Sequence, residues 1–291
     1  MASFPARPTR RAAMTETGAP PGVTESSGTT RSTSDEEGGG GRIRSVARAV
    51  EVLARFDEDT LSWTVSDLAR ATGLPKTTLV RMVDTLEQTG MLWLRPDGQI
   101  TVGAGLLRWA RLARAAWELP EPVMQAMRRL ADECGETTSF YVRQGPHRMC
   151  VAQQEGPQTL RQVVRIGDRL PLWAGASSKV LLTGAPDEVV EAAAVNSPYG
   201  PGYIAQLREQ VEQTRANGYA VTHGERENGV SGIAAPILGG EGHLIAALAL
   251  GGPTTRFTPE RVSRLVTAVT AAAHWISGLR LAATFPPPED G

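Results

Sequence analysis

A chain of 291 residues suits two modest domains better than one. Its 41% hydrophobic and 21% charged residues are the proportions of a protein that packs a core, and they exclude a wholly disordered chain. The 30 basic and 31 acidic side chains leave a net charge of −1, which exerts no global pull on nucleic acid or an anionic bilayer, so any DNA contact has to come from local placement of charge.

Residues 1–41 are rich in Ser, Thr, Gly, Pro and charge, and end in Gly38-Gly39-Gly40-Gly41. Such a stretch buries too little surface to offset its ordering entropy, so a disordered extension is expected, with Met14 as an alternative start. From Arg42, Val46, Ala49, Val50, Leu53 and Ala54 fall at helical spacing and predict a first helix over 44–56. Leu61-Ser62-Trp63 reads as a short strand. A second helix opens at Thr64, where Thr64 and Asp67 have capping-box spacing, and stops at Gly73. Pro75, at a favoured first position, starts a third helix that carries Leu79, Met82, Val83 and Leu86 to Gly90. Two apolar runs, 91–94 and 99–102, flank Arg95-Pro96-Asp97-Gly98 and read as a β-hairpin. This order predicts a winged helix-turn-helix over 42–102.

A helix over 104–118 follows, with apolar residues on more than one face, as suits a linker that also meets a partner chain. Beyond Pro120 and Pro122, Val123, Met127, Leu130 and Cys134 line one stripe of the next helix. Strands are expected at 137–143, 148–154, 219–223, 231–238 and 243–251, and helices at 175–183, 186–194 and 203–217. A last helix is capped by Thr258-Pro259-Glu260. The fold class is therefore α+β, with an antiparallel sheet in a C-terminal domain over 119–283 and a flexible tail over 284–291.

A recognition helix buries one side and offers donors on the other, mainly near its N-terminal end. In the third helix Lys76, Thr77, Thr78 and Arg81 fill the leading half, and Asp84 and Glu87 the trailing half, where phosphate would repel them. Lys76 and Arg81 are the candidates for direct contact with DNA. Thr77 and Thr78 are candidates for phosphates, with packing as the alternative for one of them. Arg95 in the hairpin is a candidate backbone contact, equally readable as a surface arginine, and Arg42 and Arg44 are candidates to help binding at the leading edge. Eight basic and eight acidic residues over 42–102 make a weak charge footprint, so element order and glycine punctuation carry this reading.

Those segments resemble the IclR family of transcriptional regulators. Val65-Ser66-Asp67-Leu68-Ala69 and Gly73-Leu74-Pro75-Lys76-Thr77-Thr78 are similar to its winged helix. Leu170 to Lys179 resembles the opening of its sensor domain's central helix, and Gly224-Glu225-Arg226-Glu227-Asn228-Gly229-Val230 with Ala234-Ala235-Pro236-Ile237 resembles the segment entering its ligand-side strands. The resemblance implies a GAF-like effector-binding domain, a homodimer or dimer of dimers, double-stranded DNA with a pseudo-palindromic operator as partner, and a small-molecule effector. By matched position the effector pocket takes Ala176, Ser177, Thr222, Gly232, Ala249 and Gly251. Several of these are Asp, Cys or Ser in members that bind organic acids. Fewer fixed donors imply a larger or less polar ligand, or none. The Glu-Arg-Glu segment resembles an actinobacterial branch associated with amino-acid biosynthesis.

Other function classes find little support. Ser177-Ser178-Lys179 lacks the serine at 176 that an acyl-transfer Ser-x-x-Lys box needs, and Gly103-Ala104-Gly105 lacks the third glycine of a dinucleotide loop. The four histidines are scattered without ligand spacing, so no cofactor or metal is expected. Cys134 and Cys150 form no CxxC; two buried thiols are favoured over a redox sensor. The longest apolar run, Leu244 to Leu250, is too short to cross a bilayer, and the N-terminal arginines precede no apolar stretch, which makes a cytoplasmic protein the expectation. A C-terminal domain that only oligomerises remains the alternative to a sensor, because an apolar pocket and an apolar core look alike in sequence.

Overall fold

The structure, a computed structural model, describes residues 43–162, 164–279 and 281. The 1–41 extension, Met14, Arg42 and the 284–291 tail lie outside the described residues.

The first unit is built on three helices, α1 (Arg44–Leu53), α2 (Val65–Thr72) and α3 (Lys76–Gln88), and on strands β1 (Ser62–Thr64), β2 (Leu92–Leu94) and β3 (Gln99–Val102) in the order β1-β3-β2. Leu68 of α2, Leu79, Val83 and Leu86 of α3, and Leu92 and Ile100 of the hairpin close one core with Val52. On α1 the inward residues are Ala49, Val52 and Leu53, with Phe56 just beyond. Val46 and Val50, expected on the packed face, instead stand 57% and 54% exposed. The α1 apolar pattern thus has a second, outward stripe.

The α2 start is capped as expected: the Asp67 amide donates to Thr64 Oγ1 at 3.1 Å. The return contact differs, because the Thr64 hydroxyl donates to the Asp67 carboxylate at 2.7 Å and the Asp67 side chain is not what caps the Thr64 amide. Gly73 ends α2 in the left-handed region (φ 67°), where a β-carbon is costly. Pro75 is the residue before α3 and keeps extended backbone (ψ 135°), rather than the first helical residue. Gly103 and Gly105 explain themselves by close approach: a β-carbon on Gly103 would lie 2.2 Å from the Gly90 carbonyl oxygen, at the base of the hairpin.

Helix α4 (Gly105–Ala116) joins the two units, and none of its residues is buried within this chain. After it, α5 (Glu121–Cys134) begins with Pro122 inside its first turn, where a missing N–H costs nothing. Strands β4 (Thr137–Gln144), β5 (His147–Gln154), β6 (Arg169–Pro171), β7 (Ala220–His223), β8 (Val230–Leu238) and β9 (Leu244–Pro253) form an antiparallel sheet in the order β6-β5-β4-β9-β8-β7. The short strand β6 carries no alternating pattern of its own and was not expected from the sequence; it is recruited by pairing with β5.

Side chains of a strand alternate between faces, and this sheet sorts them by size. Phe140, Ile233, Ile237, Leu248 and Leu250 point to one face and meet α5 and α9 (Pro259–Ser277). Ala234, Ala247 and Ala249 point to the other, toward α6 (Ala176–Leu182), α7 (Asp187–Val195) and α8 (Ile204–Asn217). The large residues supply the buried core. The small ones leave room beneath α6, and that room becomes a cavity.

Candidate functional site

Two sites emerge, one in each unit. In the first, Lys76, Thr77 and Arg81 stand exposed on α3, while Thr78 is half-buried. The Lys76 ammonium donates to Ser66 Oγ at 3.3 Å, which steers it toward the α2 side of the face. Arg95 lies in the hairpin turn and pairs with Asp97 at 2.8 Å, and Arg44 lies exposed at the start of α1. The trailing acids differ from the expectation that both would oppose phosphate. Asp84 is exposed, but Glu87 Oε1 accepts the Leu94 amide at 3.0 Å and so serves the edge strand of the hairpin. A carboxylate spent on β2 no longer lies free beside a groove.

In the second unit, Ala176, Ser177, Thr222, Gly232, Ala249 and Gly251 all line one cavity of about 460 Å³, mouth included. The sheet register brings three of them abreast and sets Ala249 two residues further along β9. Thr222 pairs with Gly232, and Gly232 with Gly251, across β7, β8 and β9, while Ala249 pairs with Ser139 on β4. The start of α6 covers this row: a β-carbon on Gly232 would meet the Ala176 methyl at 3.8 Å. Gln162 lies over Gly251, where a β-carbon would collide with its amide oxygen at 1.8 Å. Gly251 is thus an opening that a side chain from another segment already enters.

Ser177 and Thr222 apart, the polar groups of the cavity were not expected from the sequence. Arg148, on β5, is 3% exposed. Its Nη1 donates to the Pro171 carbonyl at 2.7 Å, to the Ala174 carbonyl at 2.6 Å and to Ser178 Oγ. Its Nε is buried without an acceptor among the described residues. The Tyr141 ring lies 5.4 Å from the guanidinium carbon, and Gly175 (φ 93°) leaves room for Nη2, which a β-carbon there would meet at 3.3 Å. No carboxylate reaches Arg148 at ion-pair distance among the described residues. Burial pushes its pKa down, to about 10, so it stays a cation at neutral pH. A buried charge without an ion-pair partner is costly, and the Glu225 carboxylate across the cavity offsets that cost only from a distance. The one sequence signal was its phase: Arg148 stands two residues before buried Cys150 and shares its side of the strand.

Glu225 closes the far wall. Its Oε2 accepts the Gly175 amide at 2.9 Å and the Lys179 ammonium at 3.1 Å. Lys179 also donates to the Trp173 carbonyl at 2.7 Å, and burial holds its pKa down against the pull of Glu225. Its position in Ser177-Ser178-Lys179 is therefore structural: the lysine ties α6 to the segment leading into β8.

The two thiols do not resemble redox centres. Burial pushes Cys134 up to about 11 and Cys150 up to about 12. They also lie in different cores, one on each side of the sheet. Among the described residues no helix is long and apolar enough to cross a membrane.

Comparison with known proteins accounts for both units. The family described as IclR helix-turn-helix domain matches residues 45–95, and Bacterial transcriptional regulator IclR C-terminal matches residues 116–278. The chain is 33% identical over 222 residues to the HTH-type transcriptional regulator KipR of Bacillus subtilis, spanning 74% of this chain and 89% of that one. It is 27% identical over 255 residues to the acetate operon repressor of Salmonella typhimurium, spanning 80% and 88%. Among solved structures, an IclR-family regulator from Rhodococcus sp. shares 42% identity and a TM-score of 0.58 over 89% of this chain and 100% of that one. An IclR homologue from Microbacterium hydrocarbonoxydans, solved with 4-hydroxybenzoate, shares 26% identity and a TM-score of 0.62 over 80% and 98%. These relatives are regulators of transcription, not enzymes. With both of its units matched in order, the chain belongs to the IclR family of DNA-binding bacterial transcriptional regulators.

Proposed function

We propose that this regulator is a repressor that binds a pseudo-palindromic operator as a homodimer or dimer of dimers, and that a small organic acid in its C-terminal cavity sets operator affinity. In this reading residues 42–102 read DNA, 103–118 link and pair the chains, and 119–283 act as a GAF-like sensor in the cytoplasm. The observation that carries the sensor role is Arg148: a buried guanidinium, without a carboxylate at ion-pair distance among the described residues, in the wall of a cavity whose floor is Gly232, Ala249 and Gly251. A carboxylate meets the guanidinium, and the small-residue floor receives an apolar body. The donor-poor group of Thr222, Gly232 and Ala249 supports a larger or less polar acid, one drawn from amino-acid or organic-acid metabolism. The 4-hydroxybenzoate held by the Microbacterium homologue is an acid of this kind and supports the same class here.

On DNA, Lys76 and Arg81 contact bases in the major groove, Thr77 and Thr78 serve phosphates, and Arg95 and Arg44 lie on the backbone. The test is a salt-controlled gel shift on the DNA upstream of the regulator's own gene, with unrelated DNA as competitor and small carboxylates added in turn. A specific band that one acid abolishes or strengthens is expected. A specific band indifferent to every acid would refute the effector, and failure against a random-sequence selection would refute the operator.

A further inference from the structure

Beside the effector cavity, on the other side of Glu225, lies a second cleft of about 710 Å³, mouth included. Only Glu225 is common to the two linings. The chain has 15 aromatic residues, from its 6 Trp, 4 Tyr and 5 Phe, and three of them gather here. The rings of Trp173 and Tyr199 meet edge to face, 6.0 Å apart at 88°. Tyr203 closes a third side, 5.3 Å from Tyr199 at 49°. Tyr199 is 67% exposed, so its ring contributes little to the core and stands at the mouth.

We propose that this cleft is a binding site for a small organic cation, an alkylated ammonium. Aromatic faces are the negative regions of their quadrupoles, and three rings set at different tilts around one space attract a diffuse cation. The carboxylate of Glu225 supplies the counter-charge. Its Oε2 is taken by Gly175 and Lys179, while Oε1 accepts no hydrogen bond from the described residues. The ammonium already present, Lys179, is 2% exposed, lies 5.8 Å from the centre of the Tyr203 ring, and is neutralised by Oε2. A guest entering past Tyr199 therefore meets the three rings and the Glu225 side chain, all of which line the cleft. An anion would be repelled by both, and a neutral apolar guest would desolvate Oε1 without replacing its water. The preference is opposite in sign to that of the cavity at Arg148, and the site does not depend on what that cavity binds.

Choline and its uncharged isostere 3,3-dimethyl-1-butanol are the probes, titrated by calorimetry into the full chain at constant ionic strength. Choline is expected to bind once per chain, with the isostere at least tenfold weaker. Tyr199→Phe keeps the ring and should stay within about twofold of the parent, whereas Tyr199→Leu keeps the bulk without the quadrupole and should lose about tenfold. Melting curves establish that both variants are folded. Equal affinity for choline and its isostere, equal affinity of the Leu and Phe variants, or no heat from choline up to about 50 mM would overturn the proposal. Because no DNA is present, none of these outcomes depends on the operator or on the acidic effector.

Discussion

Arg148 holds a position that a packed protein normally gives to an apolar residue, and its replacement separates binding from folding. Of the two carbonyls it serves at most one would be orphaned, since the single Ser178 hydroxyl proton lies within reach of Ala174 at 2.8 Å or of Pro171 at 3.1 Å. Arg148→Met removes the buried charge at similar volume, so melting should stay within a few degrees of the parent or rise. Acid binding should go. For the parent, a carboxylate at a hundredfold its Kd adds about 2.7 kcal/mol, which a domain of this size reads as several degrees in Tm. A variant that keeps the shift would remove Arg148 from the site. The thiols yield a second expectation with a definite sign. Burial pushes the Cys134 thiol up to about 11 and the Cys150 thiol up to about 12, above the ordinary 9.0, so above that value the unfolded chain loses protons first. Their contribution to stability is whole below pH 9 and declines as pH rises through the folded values. At pH 8 a thiol reagent should label neither before denaturation, and peroxide should leave operator binding unchanged. Rapid labelling of the native protein would contradict their burial.

At the scale of elements, what the sequence made legible is what local chemistry decides. Thr64, Asp67 and Gly73 bracket α2, because caps act within a turn. The spans of β8 and β9 were legible from two apolar runs, 231–238 and 243–251, although burial along almost all of β9 hides which face each residue takes. The outward stripe of α1 was not legible, because helical spacing locates a stripe without saying which of two covers the core. Strand β6 is three residues held by β5, a pairing over a long loop that no local pattern announces. Arg148 was missed for a related reason: a cation in strand phase reads as a solvated residue until α6 is seen to cover it. Helix α3 tests the part that was read. Arg81→Ala should weaken operator binding by about 1–3 kcal/mol and leave the oligomer unchanged. Glu87→Leu should act differently, by freeing the Leu94 amide and loosening β2 without removing any contact to DNA. Its signature is faster amide exchange in the hairpin at unchanged salt dependence of binding. An Arg81 variant with parental affinity would shift the reading of bases away from the middle of α3.

For the whole molecule, the unanswered surface is α4. None of its residues is buried in the single chain, yet Leu107 stands 74%, Trp109 53% and Leu112 38% exposed. Val46 and Val50 of α1 add to the apolar surface of the same unit. Helices with this much apolar area at large are unusual in a monomer, and a second copy covering them is the economical solution. Reading a two-fold operator also needs two α3 helices at a fixed spacing. Under the proposed pairing Leu107→Glu puts a charge into the α4 interface, and Leu107 is too exposed in one chain for the change to disturb folding. Sedimentation should then give a monomer with a parental circular-dichroism spectrum, and operator affinity should fall at least tenfold as the second half-site loses its tethered reader. Half-site affinity, measured on an isolated arm of the operator, should stay as it was. A variant that remains dimeric would move the interface off α4. One that becomes monomeric yet binds the whole operator as tightly as the parent would show that pairing through α4 is not what sets the spacing of the two reading helices.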